Sequence, residues 1–274
     1  MTASRIVYFQ STGLNMPIFE LDRSSGGWTP SPIAAGPFAG MQGGAVAGLL
    51  VGQMEAVAAI EGWGDAVAIS VWFLKPTPIV QLRTRLEVVR TGGRVSVIDN
   101  AVTPEGSSEP TAMARATFMR VRPADAPGFV PSATRFADPE RLTPVTRRVP
   151  HGGPWFMDAM ETRAGDGITW FRMKQAVIEG AGAMARVVGP ADWTHGLARP
   201  LQNVLADPNP NLNVHLLRPP IGPWIGIRAA TEWLPERGAG FGRGVLVDSV
   251  GEIGAVSMSV ALAPFPVNSE RARN

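Results

Sequence analysis

The chain has 274 residues, 45% of them hydrophobic and 18% charged, with 25 Lys and Arg against 23 Asp and Glu. That is globular composition for one large domain or two ordinary ones, and the near-balance of charge, with Lys75 and Lys174 far apart and no arginine stripe, excludes an electrostatic footprint for nucleic acid. The absence of cysteine excludes disulfides, thiolate metal sites and a Cys nucleophile.

The opening MTASRIVYFQ has no apolar core of signal-peptide length, so a cytoplasmic protein is expected. The next stretch, GMQGGAVAGLLVG (40–52), places Gly40, Gly44, Gly48 and Gly52 at every fourth position, with Gly43 between them. That spacing is helical, although each interior Gly costs a helix about 1 kcal/mol relative to Ala. A helix over 43–60 is predicted, apolar on nearly every side and therefore buried all round. Gln53 and Glu55 interrupt its apolar run, and a membrane span needs about 20 apolar residues, so no membrane role is expected. Close approach of strand backbone from a curved sheet is the expected reason for the glycines at 44, 48 and 52, with small residues filling a tight core as the alternative.

Further along, FLKPTPIVQLRTRLEVV begins at Phe73 and LLRPPIGPWIGIRAATEW at Leu216. Each has two apolar residues, a cation, a Pro-containing break and a strand-like run, with Lys75 corresponding to Arg218. After each comes turn, strand, turn, strand, so each half is predicted to end in a meander of about four strands. GAGFGRG (238–244) reads as a hairpin turn within the second meander. The second half has a less regular helical segment at 180–205, broken at Pro190 and Pro200. The fold class is α+β: a duplicated unit, each an antiparallel sheet wrapped around a central helix. The predicted boundaries are an N-terminal unit over 1–122, a linker over 123–154, a C-terminal unit over 155–266 and a tail over 267–274. Two sheets of about six strands are expected to join back to back, and exposed sheet faces or edges predict a homo-oligomer.

This order of segments resembles the acyl-CoA thioesterase II-like family of double hotdog proteins. The resemblance rests on MQGGAVAGLL, VWFLKPTPIVQLRTRLEVVRTGGRVSVIDNAV and NPNLNVHLLRPPIGPWIGI, and it covers almost the whole chain. It implies hydrolysis of an acyl-CoA thioester to free acid and CoA, with acyl-CoA as the partner molecule and no cofactor. A thioester carbonyl gains negative charge on attack, and a helix N-terminus offers N–H groups to meet it. Gly43 and Gly44 are the expected donors, with Gln42 adding an amide and Arg218 a substrate-binding cation. A tight turn into the helix is the alternative role for the Gly-Gly pair.

Carried over residue by residue, the family's carboxylate falls on Asn211, its hydroxyl near Thr231 and its amide on Met258. Asn is no base at neutral pH and Met has only a weak sulfur acceptor, so this constellation departs from the family where water is activated. Three acids could compensate: Asp207, upstream of Asn211; Asp192, expected to pair with His195 on a helix face as an oriented base; and Asp65, after the first helix. The histidines His151, His195 and His215 show no HxxxH or HExxH spacing, so no metal is expected. No GxSxG occurs. Trp63, Trp72, Trp155, Trp170, Trp193, Trp224 and Trp233 are divided between core and acyl-pocket roles. Three functions stay open: a thioesterase with weakened catalysis, a non-hydrolytic acyl-CoA or acyl-thioester binder, and enoyl-CoA hydratase or dehydratase chemistry.

Overall fold

The computed structural model describes residues 16–128, 136–146, 153–202 and 204–264. The first unit runs β1 (Phe19–Asp22), β2 (Gly27–Pro30), α1 (Gly43–Glu61), β3 (Asp65–Phe73), β4 (Leu82–Arg90), β5 (Val95–Pro104) and β6 (Ala112–Met119). The second runs β7 (Thr143–Pro144), β8 (Met160–Gly165), β9 (Ile168–Met173), α2 (Ala183–Ala191), α3 (Thr194–Leu197), β10 (Asn211–Leu216), β11 (Trp224–Leu234), β12 (Ala239–Val247) and β13 (Glu252–Ala261). Hairpin, helix and four strands recur in the same order, as the duplication predicts. The predicted tail at 267–274 lies outside the described residues, as does His151.

The two sheets do not stack. They join edge to edge where β3 pairs antiparallel with β10, giving one 13-stranded sheet in the order β1-β2-β4-β5-β6-β3-β10-β13-β12-β11-β9-β8-β7. The strands alternate. In β5, Ser96, Ile98, Asn100 and Val102 face the core while the residues between them face outward. The linker is partly absorbed into the fold, since Thr143 and Pro144 extend the sheet beside β8.

α1 stops at Gly62, whose φ of 63° provides the left-handed residue that ends a helix. Its bulky face, with Val46, Leu49, Leu50 and Met54, is wholly buried. Two polar side chains of that interior are tied to backbone: Asn100 Nδ2 donates to the Leu50 carbonyl, and Gln53 Nε2 donates to Leu49 O while its Oε1 accepts Thr84 Oγ1.

The glycines serve a different contact from the one predicted. A Cβ on Gly44 would lie 2.6 Å from the Gly189 carbonyl oxygen, one on Gly48 2.9 Å from Val177, and one on Gly52 2.7 Å from Ile178. The close neighbour is α2 and the segment before it, in the other unit, not strand backbone. The sheet meets large side chains, so only the helix–helix side requires bare backbone. The second helical segment divides as its prolines suggest, into α2, with Pro190 near its end, and α3. GAGFGRG is strand, not turn: the turn is Pro235–Arg237 with Gly238, and β12 begins at Ala239.

Candidate active site

Each core helix is capped by a carboxylate from the other unit. At α2, Glu55 Oε1 and Oε2 accept the N–H groups of Met184 (2.7 Å) and Ala185 (3.0 Å). Burial pushes the Glu55 carboxyl up, against the pull of those N–H groups. At α1, Asp192 Oδ2 accepts Gly44 N–H (2.8 Å) and Gln42 Nε2 (2.7 Å), and its Oδ1 accepts Asn209 Nδ2 (2.8 Å). Asp192 is 0% exposed, and burial raises its carboxyl while Asn209, Gly44 and Gln42 oppose the rise.

The two ends differ in what is left over. Ala45 and Val46 N–H groups donate to Gln42 O, and Gly44 is committed to Asp192. Gly43 N–H has no acceptor among the described residues, and Gly43 lines a cavity of about 350 Å³. Apolar walls come from Phe38, Met41, Val46, Phe73, Leu74 and Trp193, and polar groups from Gln42, Lys75, His195, Arg199 and Asn209. The cavity beside α2 is smaller, about 170 Å³, and Glu55 is in its wall.

The predicted residues do not gather at one place. Gln42 and Gly43 are at the large cavity; Gly44 N–H is held by Asp192 and is not a free donor, and Gln42 Nε2 commits one of its two N–H groups to the same carboxylate. Arg218 is elsewhere. Lys75 and Arg218 follow the matched strands β3 and β10, which run antiparallel, so they lie at opposite ends of the junction. Lys75 lines the large cavity; Arg218 forms a two-pronged ion pair with buried Asp248 (2.5 and 2.9 Å). Asn211 sits opposite Trp72, which is 46% exposed, and bonds to Ser259 N and Oγ on the outward face of the sheet. It points away from the core, so it cannot hold water at the cavity. Asp65 begins β3 and lines the small cavity. His215, on β10, is exposed.

Thr231 and Met258 flank Gly242 in register across β11, β12 and β13. A Cβ on Gly242 would lie 2.9 Å from His195 Cβ, and Thr231 Oγ1 donates to His195 O (3.1 Å). Both residues therefore form the seat of His195 and are absent from the cavity lining. The expected Asp192–His195 hydrogen bond does not form. His195 Nδ1 lies 3.3 Å from Asp207 Oδ2, and Asp207 also binds Arg199 at 2.5 and 2.8 Å. Of the tryptophans, Trp193 lines the cavity, whereas Trp63 and Trp170 are core.

Asn209, Arg199 and Phe73 were missed as site residues. Asn209 and Phe73 stood within the segments quoted for the resemblance, but nothing local distinguishes them from turn and strand residues. No group of three or more His, Asp or Glu suited to a metal occurs among the described residues.

Residues 31–119 match the family model described as the acyl-CoA thioesterase N-terminal domain. No curated protein matches the sequence. Among solved structures, one from Novosphingobium aromaticivorans, assigned as a thioesterase, superimposes with a TM-score of 0.68 at 18% identity, covering 90% of this chain and 99% of that one. One from Thermobifida fusca, assigned as thioesterase II, gives 0.65 at 16%, covering 88% and 95%. The acyl-CoA thioesterase II of Mycobacterium marinum gives 0.61 at 14%, covering 84% and 92%.

Proposed function

Since the chain has the double hotdog fold of the thioesterase II structures and its residues 31–119 belong to the acyl-CoA thioesterase N-terminal domain family, we propose that it hydrolyses an acyl-CoA thioester at the cavity beside α1. One observation carries this reading: Gly43 N–H is a helix-end donor without a partner among the described residues, opening on an apolar cavity. A carbonyl oxygen placed against it gains a hydrogen bond and the positive end of the helix dipole, both of which strengthen as negative charge develops. With no side chain, Gly43 lets the carbonyl approach; a Cβ there would lie 2.9 Å from Phe73 and 3.0 Å from Asp192 Oδ2.

Asp192 acts as a positioning residue in this reading. Its carboxylate is surrounded by donors and closed off from the cavity, and it fixes Gln42 and Gly44 so that Gly43 stays in place. The apolar wall suits the acyl group, and the volume is within the range of small-molecule sites. Lys75 is bonded to exposed Glu109, a pair worth little, so an anionic group of CoA could replace that partner.

The test is thiol release from a panel of short, long and aromatic acyl-CoAs. Turnover is expected, and Asn211→Ala is expected to keep the wild-type rate, because that side chain faces away from the cavity. Tight binding with no thiol released would make the chain a binder. Loss of the conjugated absorbance of an enoyl-CoA in place of thiol release would make it a hydratase.

A further inference from the structure

We propose that His195 is the general base that activates water in this site and that Asp207 positions it, an inference that rests on the hydrolytic reading above. His195 lines the same cavity as Gly43, from the opposite unit of the fold. Its Nδ1 is 3.3 Å from Asp207 Oδ2. An ionised carboxylate only accepts, so Nδ1 carries the proton and Nε2 keeps its lone pair. Nε2 has no hydrogen-bond partner among the described residues. Asp207 is 1% exposed; burial pushes its carboxyl up, but the bonds from His195 and Arg199 more than reverse this and hold it below the ordinary range.

The ring is held from behind as well. Gly242 gives His195 Cβ room that no other residue would leave, Thr231 ties down the His195 carbonyl, and Met258 fills the row beside them. The positions that the resemblance assigns to hydroxyl and amide thus support an imidazole. The charged groups around it are Asp192 at the end of α2, Arg199 and Asp207 after α3, and Lys75 across the cavity; β11 and β12 bring the uncharged Thr231 and Gly242 against it.

The step balances. Water oxygen bonds to the thioester carbon while its proton passes to His195 Nε2, and the oxyanion takes Gly43 N–H. The C–S bond then breaks, and the departing thiolate takes the proton from Nε2. Free acid and CoA thiol leave, and the imidazole returns to its neutral form.

The experiment compares wild type, His195→Gln and Asp207→Asn for thiol release, with thermal unfolding to show that each is folded. His195→Gln is expected to lower kcat by about 10²–10⁴-fold with little change in KM. Asp207→Asn is expected to lower kcat less, again with KM held. Nitrogen NMR of the neutral ring should show the proton on Nδ1 in the wild type and a mixture of tautomers in Asp207→Asn, a signature that a merely structural Asp207 would not give. A folded His195→Gln protein that keeps the wild-type kcat overturns the base while leaving thioester hydrolysis intact. A wild-type chain that releases no thiol from any acyl-CoA overturns the function and the base together.

Discussion

Asp192, Asp207 and Asp248 are all buried acids, yet each is used differently. Asp192 organises one helix end, Asp207 faces an imidazole and a guanidinium, and Asp248 ties down a loop. Arg218 and the N–H groups of Ile221, Val250 and Gly251 all bond to Asp248. Burial pushes its carboxyl up, but these donors reverse that and bring its pKa down to about 2. A folded-state value below the unfolded one makes the group stabilising above the unfolded value, and that contribution is lost as the proton binds. About 2 kcal/mol should therefore be present near neutrality and disappear as pH falls from roughly 4 to 2. Urea unfolding across that range should show the slope in the wild type and lack it in Asp248→Asn.

For the helices, the glycine ridge of α1 resolves a conflict between propensity and packing. Replacing Gly by Ala gains up to about 1 kcal/mol of helix propensity, while crowding a packed interior costs about 1–3. What the new methyl meets decides the sign. At Gly44 it meets a backbone carbonyl, which cannot move aside, whereas at Gly52 it meets the end of the Ile178 side chain, which can turn. Gly44→Ala is expected to lower stability by about 2 kcal/mol or more and to disturb Gly43. Gly52→Ala should be close to neutral. Chemical denaturation of the two variants checks the order, and equal losses would contradict it. The reciprocal caps belong to this scale too: Glu55 fills the α2 end with two bonds and Asp192 fills the α1 end with one, and the difference leaves Gly43 N–H without an acceptor among the described residues.

Taken whole, the molecule is two units that cannot be separated cleanly. β3 and β10 pair at the junction, α1 presents bare backbone to α2, and each helix borrows its capping carboxylate from the other unit. Unfolding of the full chain should be a single transition. Residues 1–122 made alone should fail to unfold cooperatively, since an unpaired β3 edge and an uncovered glycine face remain. Two separate transitions in a calorimetric scan of the full chain would refute this.

The duplication, the apolar helix and the meanders were legible because they arise from local patterns: period-two alternation, turn residues and a helical glycine repeat. The glycine-marked start of α1 was legible as a place for bare N–H groups, although which N–H remains free was not, because Asp192 comes from 148 residues away. Strand register hid the rest. Asn211 is in β10, but a strand sends neighbouring side chains to opposite faces, and only its pairing with Trp72 and Ser259 shows that it looks outward. Likewise His195 has two nearby acids in sequence, Asp192 three residues before and Asp207 twelve after. The chain's path around α3 brings the farther one to Nδ1, while the nearer one is taken by the other unit's helix. Sequence alone determined the repeat and the class of fold, and it marked the glycine start of α1. Tertiary structure decided which donor stays unpaired and which acid meets His195, because burial and long-range pairing, not neighbours in the chain, assign partners to polar groups.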